Sequence, residues 1–183
     1  MLTRHIKPMA LQARRLYVEV MFQVMGQALQ AISEMDREVQ AEARALPNGF
    51  IFEMMVMPNG PNMIIEHLGA GALRFHAGKP PRPVNLSIQF KHIAHAFLVL
   101  SFQEKTSVAF ANDRMLVNGD ISHAVRMTRI LNRLEVFILP KLVAGRAVKE
   151  YPDNLKLPTK LISAARIYLK VASQFFDRVR ATT

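Results

Sequence analysis

Cysteine is absent from the 183-residue chain, and so is tryptophan. The first absence excludes disulfides, thiolate nucleophiles and cysteine-ligated zinc. No apolar run approaches the ~20 residues that a membrane-spanning helix needs. An apolar stretch of signal-peptide type is also missing near the N-terminus, where Arg14, Arg15 and Glu19 interrupt the pattern. Residues 1–18 contain no acid, as in a mitochondrial presequence, but the segment continues into a long helical pattern. A cytoplasmic, at most membrane-peripheral, protein is therefore expected. Catalytic signatures are lacking as well. There is no G-x-S-x-G elbow, and the Gly69/Gly71 pair lacks the spacing and the Lys-Ser/Thr of a phosphate loop. No two carboxylates are placed by local spacing to act as acid and base. Glu53 and Glu66 fall on neighbouring strands, where cross-strand pairing with Arg74 or Lys91 is the simpler reading. No enzyme, no cofactor and no metal are expected.

Acids are the scarce charge: 14 Asp and Glu face 24 Lys and Arg, giving a net charge of +10. Such a balance attracts an anionic partner, whether phospholipid surface, nucleic acid or acidic protein. Nucleic acid is disfavoured, because the basic residues are spread out and no aromatic-rich strand of the single-strand-binding kind is present. His92 and His95, three apart, could share a helix face and hold zinc if His67 or His123 supplied a third ligand. Ordinary polar helix positions are the simpler account of them, and no metal is expected there.

Half of the chain is apolar, with 11 Met and 11 Phe. That supports a real core. It also supplies flexible thioethers of the kind that fill irregular or adaptable apolar spaces. Residues 9–46 carry a helical stripe, Leu16, Val20, Val24, Ala28, Ala31 or Ile32, Met35, Val39 and Ala43, which Met21, Met25 and Leu29 widen. Its length exceeds a domain's width, so two helices or a projecting one are expected, with Gly26 a place to bend or split. Closely spaced opposite charges from Glu34 to Arg44 suit a solvated face. Leu46-Pro47-Asn48-Gly49 stops the helix. Phe50–Met57 is too apolar for clean alternation and reads as a central strand. Met63–Leu68 and Leu73–His76 read as two more strands. After the rigid, basic Gly78–Pro83 loop, Val84, Leu86, Ile88 and Phe90 alternate with Asn85, Ser87 and Gln89. Residues 91–104 switch to helical spacing. Strands, short helix, strand and helix in this order make an α+β pattern.

The stretch from Val108 to Leu139 organises the remainder. Met115-Leu116-Val117 has strand-like bulk, Asn118-Gly119 is a turn signal, and Asp120 stands where a helix N-cap belongs. Ala124, Met127, Leu131, Leu134 and Ile138 then form a stripe, with Arg126, Arg129, Asn132 and Arg133 on a wetter face. Ala109-Phe110, Arg114–Val117, Asn118-Gly119-Asp120 and this helix resemble the closing signature of the sterol carrier protein 2 family. Val84–Phe90 resembles that family's alternating strand, and Ile93–Phe102 its following short helix. The match covers roughly residues 45–140. In two places the chain departs from the family, which has a Gly-Lys near the end of the short helix and another before the last strand. Phe102-Gln103 and Asp113-Arg114 stand there instead, which bears on loop geometry and pocket shape.

The resemblance implies a five-stranded, mostly antiparallel sheet covered by helices, with an apolar tunnel between the layers. It also implies non-enzymatic binding or transfer of a fatty acyl, sterol-like, phospholipid or isoprenoid ligand. Related bacterial proteins assist ubiquinone synthesis, so an accessory or scaffolding role in an isoprenoid-quinone pathway is the alternative. A protein- or nucleic-acid-interaction module with a closed cavity is a further one. Residues expected to line the tunnel are Met54, Phe97, Leu100, Phe102, Phe110, Met115, Ala124, Met127, Leu131 and Leu134, with Phe175 and Phe176 from the end of the chain. The division expected is a helical extension over 1–45, the lipid-binding domain over 46–140 and an amphipathic helix within 141–183. On that last helix, Leu161, Ala165, Tyr168, Ala172, Phe175 and Val179 form the apolar stripe. It suits docking on the domain, a lid or the seam of a homodimer. Lys160, Arg166 and Lys170 flank it and suit an anionic membrane surface or ligand head group.

Overall fold

A computed structural model describes residues 3–138, with side chains from Leu11 to Phe137. The apolar runs after the Pro47-Asn48-Gly49 stop become strands. They are β1 (Ile51–Val56), β2 (Asn62–Gly69), β3 (Ala72–His76), β4 (Leu86–Phe90) and, after two short helices, β5 (Met115–Gly119). The sheet order is β3-β2-β1-β4-β5. Only the β1–β4 ladder is parallel; the others are antiparallel. The fold is therefore α+β, with an open, mixed, mostly antiparallel sheet.

Register places Phe52, Met54 and Val56 of β1 in line with Ile65 and Met63 on one side and Leu86, Ile88 and Phe90 on the other. These form one buried apolar face. The opposite face is mixed. Ile51 and Ile64 are fully buried there, while Glu53 and Met55 of the central strand are half-buried. Glu66 is buried on that face too, and its partners are not the cross-strand Arg74 or Lys91 expected from sequence. Glu66 accepts from His76 Nε2 at 2.8 Å and pairs with Arg82 of the proline-rich loop at 3.4 Å. Glu53 accepts from Asn62 at 3.0 Å, and Lys91 pairs instead with Asp113.

The long N-terminal pattern is two helices, α1 (Thr3–Ser33) and α2 (Arg37–Arg44). The break falls at residues 34–36 rather than at Gly26. Asp36 makes it: its carboxylate caps α2 by accepting from the amides of Glu38 at 3.0 Å and Val39 at 2.9 Å. Gly26 serves packing instead. A Cβ there would lie 2.2 Å from the Phe75 ring, so only glycine lets α1 approach β3 this closely. The buried stripe of α1 is Tyr17, Val18, Met21, Phe22, Val24, Ala28, Leu29 and Ile32. Leu16 and Met35, expected on that stripe, are exposed. The segment expected as an N-terminal extension thus shares one core with the sheet.

Helix α3 (Ile93–Leu100) and helix α4 (Thr106–Ala111) end alike. After α3, the amide of Phe102 bonds to Val99 O at 3.0 Å and that of Gln103 to Leu98 O at 2.9 Å. After α4, the amide of Asp113 bonds to Phe110 O at 3.0 Å and that of Arg114 to Ala109 O at 2.9 Å. Both are Schellman terminations, whose central residue must take a left-handed backbone. Phe102 has φ 59° and Asp113 φ 56°. The two positions where the family that the sequence resembles has glycine therefore keep the glycine-type turn without glycine.

The Asn118-Gly119 turn signal corresponds to the end of β5, not to a separate turn. Gly119 pairs with Leu86 at φ 135°, and a Cβ would meet Asn85 O at 2.6 Å. Asp120 caps α5 (Ile121–Ile138) as expected, accepting from the amide of Ser122 at 2.7 Å and from its hydroxyl. The Ser122 hydroxyl, then the Ser122 and His123 amides, hold its carboxyl below the usual range. Met127, Ile130, Leu134 and Phe137 are the buried residues of α5 in the core, while Ala124 and Leu131 are half-buried at its rim. The charges of α2 and α5, expected to be solvated, interlock. Arg126 and Arg129 reach Glu42 at 3.1 and 3.0 Å, and Arg133 reaches Asp36 at 2.9 Å.

Candidate functional site: an apolar layer and the groove at its end

The sheet offers apolar side chains upward because register aligns them, and α1, α3 and α5 offer theirs downward because of helical spacing. Between them lie most of the residues expected to line a tunnel. Met54, Phe97, Leu100, Met115, Met127 and Leu134 are buried in the same cluster, and Phe102, Ala124 and Leu131 pack against it half-buried. Phe110 is not with them: it is 57% exposed, on the side of α4 that faces away. Val108, Leu116, Val117, Ile121 and Val125, on α4, the edge strand β5 and the first turns of α5, are exposed as well. Phe175, Phe176, Lys160, Arg166 and Lys170 lie outside the described residues.

Sequence reasoning missed how far α1 enters this layer. Phe22, Leu29 and Ile32 are fully buried in it, over the sheet. At its margin His95 Nδ1 is buried without a hydrogen-bond partner among the described residues, whereas Tyr17 is satisfied locally. Tyr17 donates its hydroxyl to Leu100 O at 3.2 Å, and its ring meets Phe97 edge-on at 5.1 Å. Arg14 lies over the Phe97 ring, 5.6 Å from its centroid.

A groove of ≈ 350 Å³ opens at the end of the layer where β1 runs out. Its walls come from three separate segments: Leu11, Gln12 and Arg15 of α1, Val56–Gly60 of β1 and its turn, and His92 and Ile93 at the start of α3. Val56 is the last core-facing residue of β1, two positions beyond Met54 on the same face, and Ile93 stands one turn before Phe97. The groove therefore continues the row of residues expected to hold an apolar ligand, although none of those residues borders it. No local spacing announces it, because each of its three segments is unexceptional by itself.

His92 and His95 do lie together, ring centroids 6.0 Å apart, but neither His67 nor His123 joins them. His67 is buried and spent on backbone, with Nδ1 bonded to Pro47 O at 3.0 Å and Nε2 accepting from Gly71 N at 3.3 Å. His123 stacks edge-on with Phe50. His92 caps α3, its Nδ1 accepting from Ala94 N at 3.1 Å. Among the described residues no group of three or more His, Asp or Glu is arranged to hold a metal ion. Among them, too, no helix is long and apolar enough to cross a membrane. Glu135 is the perturbed acid of the region. It has no ion-pair partner among the described residues, and burial alone pushes its carboxyl up to about 7.

No protein-family model and no curated protein matches the chain. Solved structures do resemble it. One is a UbiJ-SCP2 ubiquinone synthesis protein, at 10% identity and TM-score 0.46 over 62% of this chain and 95% of that one. Another is sterol carrier protein 2 from Yarrowia lipolytica in its apo form, at 13% and 0.41 over 57% and 88%. A third is the sterol carrier protein domain 2 of Helicoverpa armigera, at 16% and 0.40 over 69% and 90%. The structural neighbours thus carry the family name that the sequence motifs around Ala109–Asp120 resemble.

Proposed function

We propose that this chain is a non-enzymatic binding protein for a hydrophobic small molecule, whose tail lies between the sheet and the helices. The observation that supports it is the groove at the end of β1, whose floor of Leu11, Val56, Met57, Pro58 and Ile93 is continuous with the buried layer. Pockets for small molecules have this character: concave, mostly apolar, with a few placed polar groups. The layer beyond is filled by side chains of α1, so a tail must displace some of them. Met21, Met54 and Met127 are unbranched and change shape at low cost. In this reading Met54, Phe97, Leu100, Met115, Met127, Leu131 and Leu134 contact the tail. Phe102 and Ala124 sit at its margin, and Phe175 and Phe176 close the site from the end of the chain. Phe110 is left for an external contact, a homodimer or the chain's own end. Lys160, Arg166 and Lys170 steer the protein to anionic membranes, and its place is cytoplasmic.

Native mass spectrometry of gently purified protein, followed by organic extraction, tests this. A co-purifying acyl, sterol-like or isoprenoid molecule, or uptake of fluorescent fatty acid that Ala124→Phe reduces, supports carriage. A protein that is always empty and takes up neither fatty acids nor prenylated quinone precursors overturns it. Recovery of a prenylated phenol or quinone would select the quinone-pathway role.

A further inference from the structure

We infer that the groove at the end of β1 is the port for an anionic head group, a carboxylate or phosphate, held by Arg15 and His92 while the alkyl stem of the same molecule leaves over Val56 and Ile93. The inference rests on the carrier reading above and adds the chemical class and orientation of the ligand.

Charge points to an anion. Residues 16–138 contain eleven Lys or Arg and eleven Asp or Glu, so this part of the chain is neutral. Residues 1–15 hold Arg4, Lys7, Arg14 and Arg15 and no acid. The groove lies where this acid-free stretch meets the sheet, and no Asp or Glu lines it. The opposite arrangement holds elsewhere: Arg114, Arg126, Arg129 and Arg133 each pair with a carboxylate. Arg15 forms no ion pair among the described residues. Its bond is a single donation from NH2 to Asn59 O at 3.2 Å, which anchors the guanidinium at the rim and leaves its other N–H groups for a ligand.

His92 is poised in the same way. Its Nδ1 is occupied as acceptor for the Ala94 amide, so the neutral ring carries its proton on Nε2. Among the described residues Nε2 has no hydrogen-bond partner of its own, and His92 is a lining residue of the groove. The two donors come from separate elements, α1 and the start of α3, and both line one concavity. The apolar part of the lining excludes a bare inorganic anion as the best occupant. Leu11, Val56, Met57, Pro58 and Ile93 gain only if carbon accompanies the charge. The size, ≈ 350 Å³, lies near the lower end of the ~300–1,000 Å³ found for ligand sites, enough for a head and the first part of a chain.

The test compares ligands of one chain length with different heads: palmitate, palmitoyl lysophosphatidic acid and hexadecanol, bound to the full chain and to Arg15→Gln, Arg15→Lys and His92→Asn. His92→Asn keeps a capping side chain for α3 while removing the Nε2 donor. Thermal unfolding of each variant confirms that it is folded. The expected result is at least tenfold tighter binding of an anionic ligand than of hexadecanol. Arg15→Gln should remove most of that preference, Arg15→Lys should keep part of it, and hexadecanol should bind all proteins alike. Which of palmitate and the lysophosphatidic acid shows the larger preference decides between carboxylate and phosphate. Equal binding of all three ligands, unchanged by Arg15→Gln, overturns the port while leaving the carrier reading intact. Binding of none of them overturns both.

Discussion

Replacing Asp113 by glycine should stabilise the protein relative to replacing it by alanine, against the usual rule that glycine is the weaker residue. Both substitutions remove the same side chain and the same ion pair with Lys91. That pair is worth little, because the Asp113 side chain is 78% exposed. What differs is the backbone. At φ 56° an alanine Cβ costs ~1–2 kcal/mol in the left-handed region, and glycine costs nothing there. Against this, glycine has more freedom to lose on folding, worth ~0.4–1 kcal/mol. The balance favours glycine by roughly 0.5–1 kcal/mol, or about 1–4 °C in Tm for a chain of this size. Phe102 provides a second, independent locus. Its ring packs half-buried on the core, so both variants lose stability, but Phe102→Gly should lose less than Phe102→Ala by a similar margin. Differential scanning fluorimetry, backed by urea unfolding, resolves this. If alanine matches or exceeds glycine at both positions, the two helices do not end in left-handed Schellman turns.

Four further outcomes follow from the packing. Gly26→Ala gains ~1 kcal/mol of helix propensity but drives a methyl into the Phe75 ring, so it should destabilise alone and become neutral or stabilising on a Phe75→Ala background, measured as a double-mutant cycle. Arg133→Ala removes two charge-assisted bonds to the mostly buried Asp36 and should cost ~1.5–3 kcal/mol in urea unfolding, with Arg133→Lys restoring only part. Ile121→Ser, at a position 79% exposed, should change stability by less than ~0.5 kcal/mol, whereas Ile130→Ala nine residues on should cost ~2–5 kcal/mol. Glu135 titrates at about 7 when folded and near 4.5 when unfolded, so the native state keeps a proton that the unfolded state releases. Stability should therefore fall as pH rises from about 4.5 to 7 and level off above. Glu135→Gln should abolish the slope and add ~1–2 kcal/mol at pH 8, a wild-type profile flat across this window being the contrary result.

The sheet was readable because strand periodicity and turn residues are local. Val84 to Phe90 alternates, and the structure buries Leu86, Ile88 and Phe90 as that alternation demands, although the strand starts at Leu86 and Ser87 on its other face is buried too. Asp120 was readable for the same reason, being a cap within three residues of the amides it accepts. The face of α1 was not. Apolar residues surround much of that helix, and the choice of Phe22 over Leu16 for the core depends on β3, fifty residues later. The interlock of α2 with α5 was missed for a related reason: Glu42 and Arg129 are each ordinary surface charges until tertiary contact sets them 3.0 Å apart. The groove is the extreme case, since Arg15, Asn59 and His92 share no segment. The glycine replacements show the reverse. Phe102 and Asp113 looked like lost turns, yet both take left-handed backbone within the same hydrogen-bond pattern, a conformation that aspartate enters more readily than phenylalanine.

Whether a tail can enter depends on the competition between it and α1 for one apolar layer. Burying about sixteen carbons gains roughly 13 kcal/mol gross at ~0.8 kcal/mol per CH₂. Association and ordering take back on the order of 4–15 kcal/mol. A cavity already open would leave the remainder as affinity, but here Phe22, Leu29 and Ile32 occupy the layer, so each contact the tail makes replaces one that α1 loses. Tight binding then requires that the displaced side chains find other apolar surroundings. The rim offers them: Ala124, Leu131 and Phe102 are only half-buried, and Met21, Met54 and Met127 can refold their side chains in place. The close packing that Phe22, Leu29 and Ile32 give up in the move offsets part of what the tail gains by leaving water. A bound tail should consequently raise the Tm far less than its length suggests, and most of the discrimination between ligands should fall to the head group at the groove.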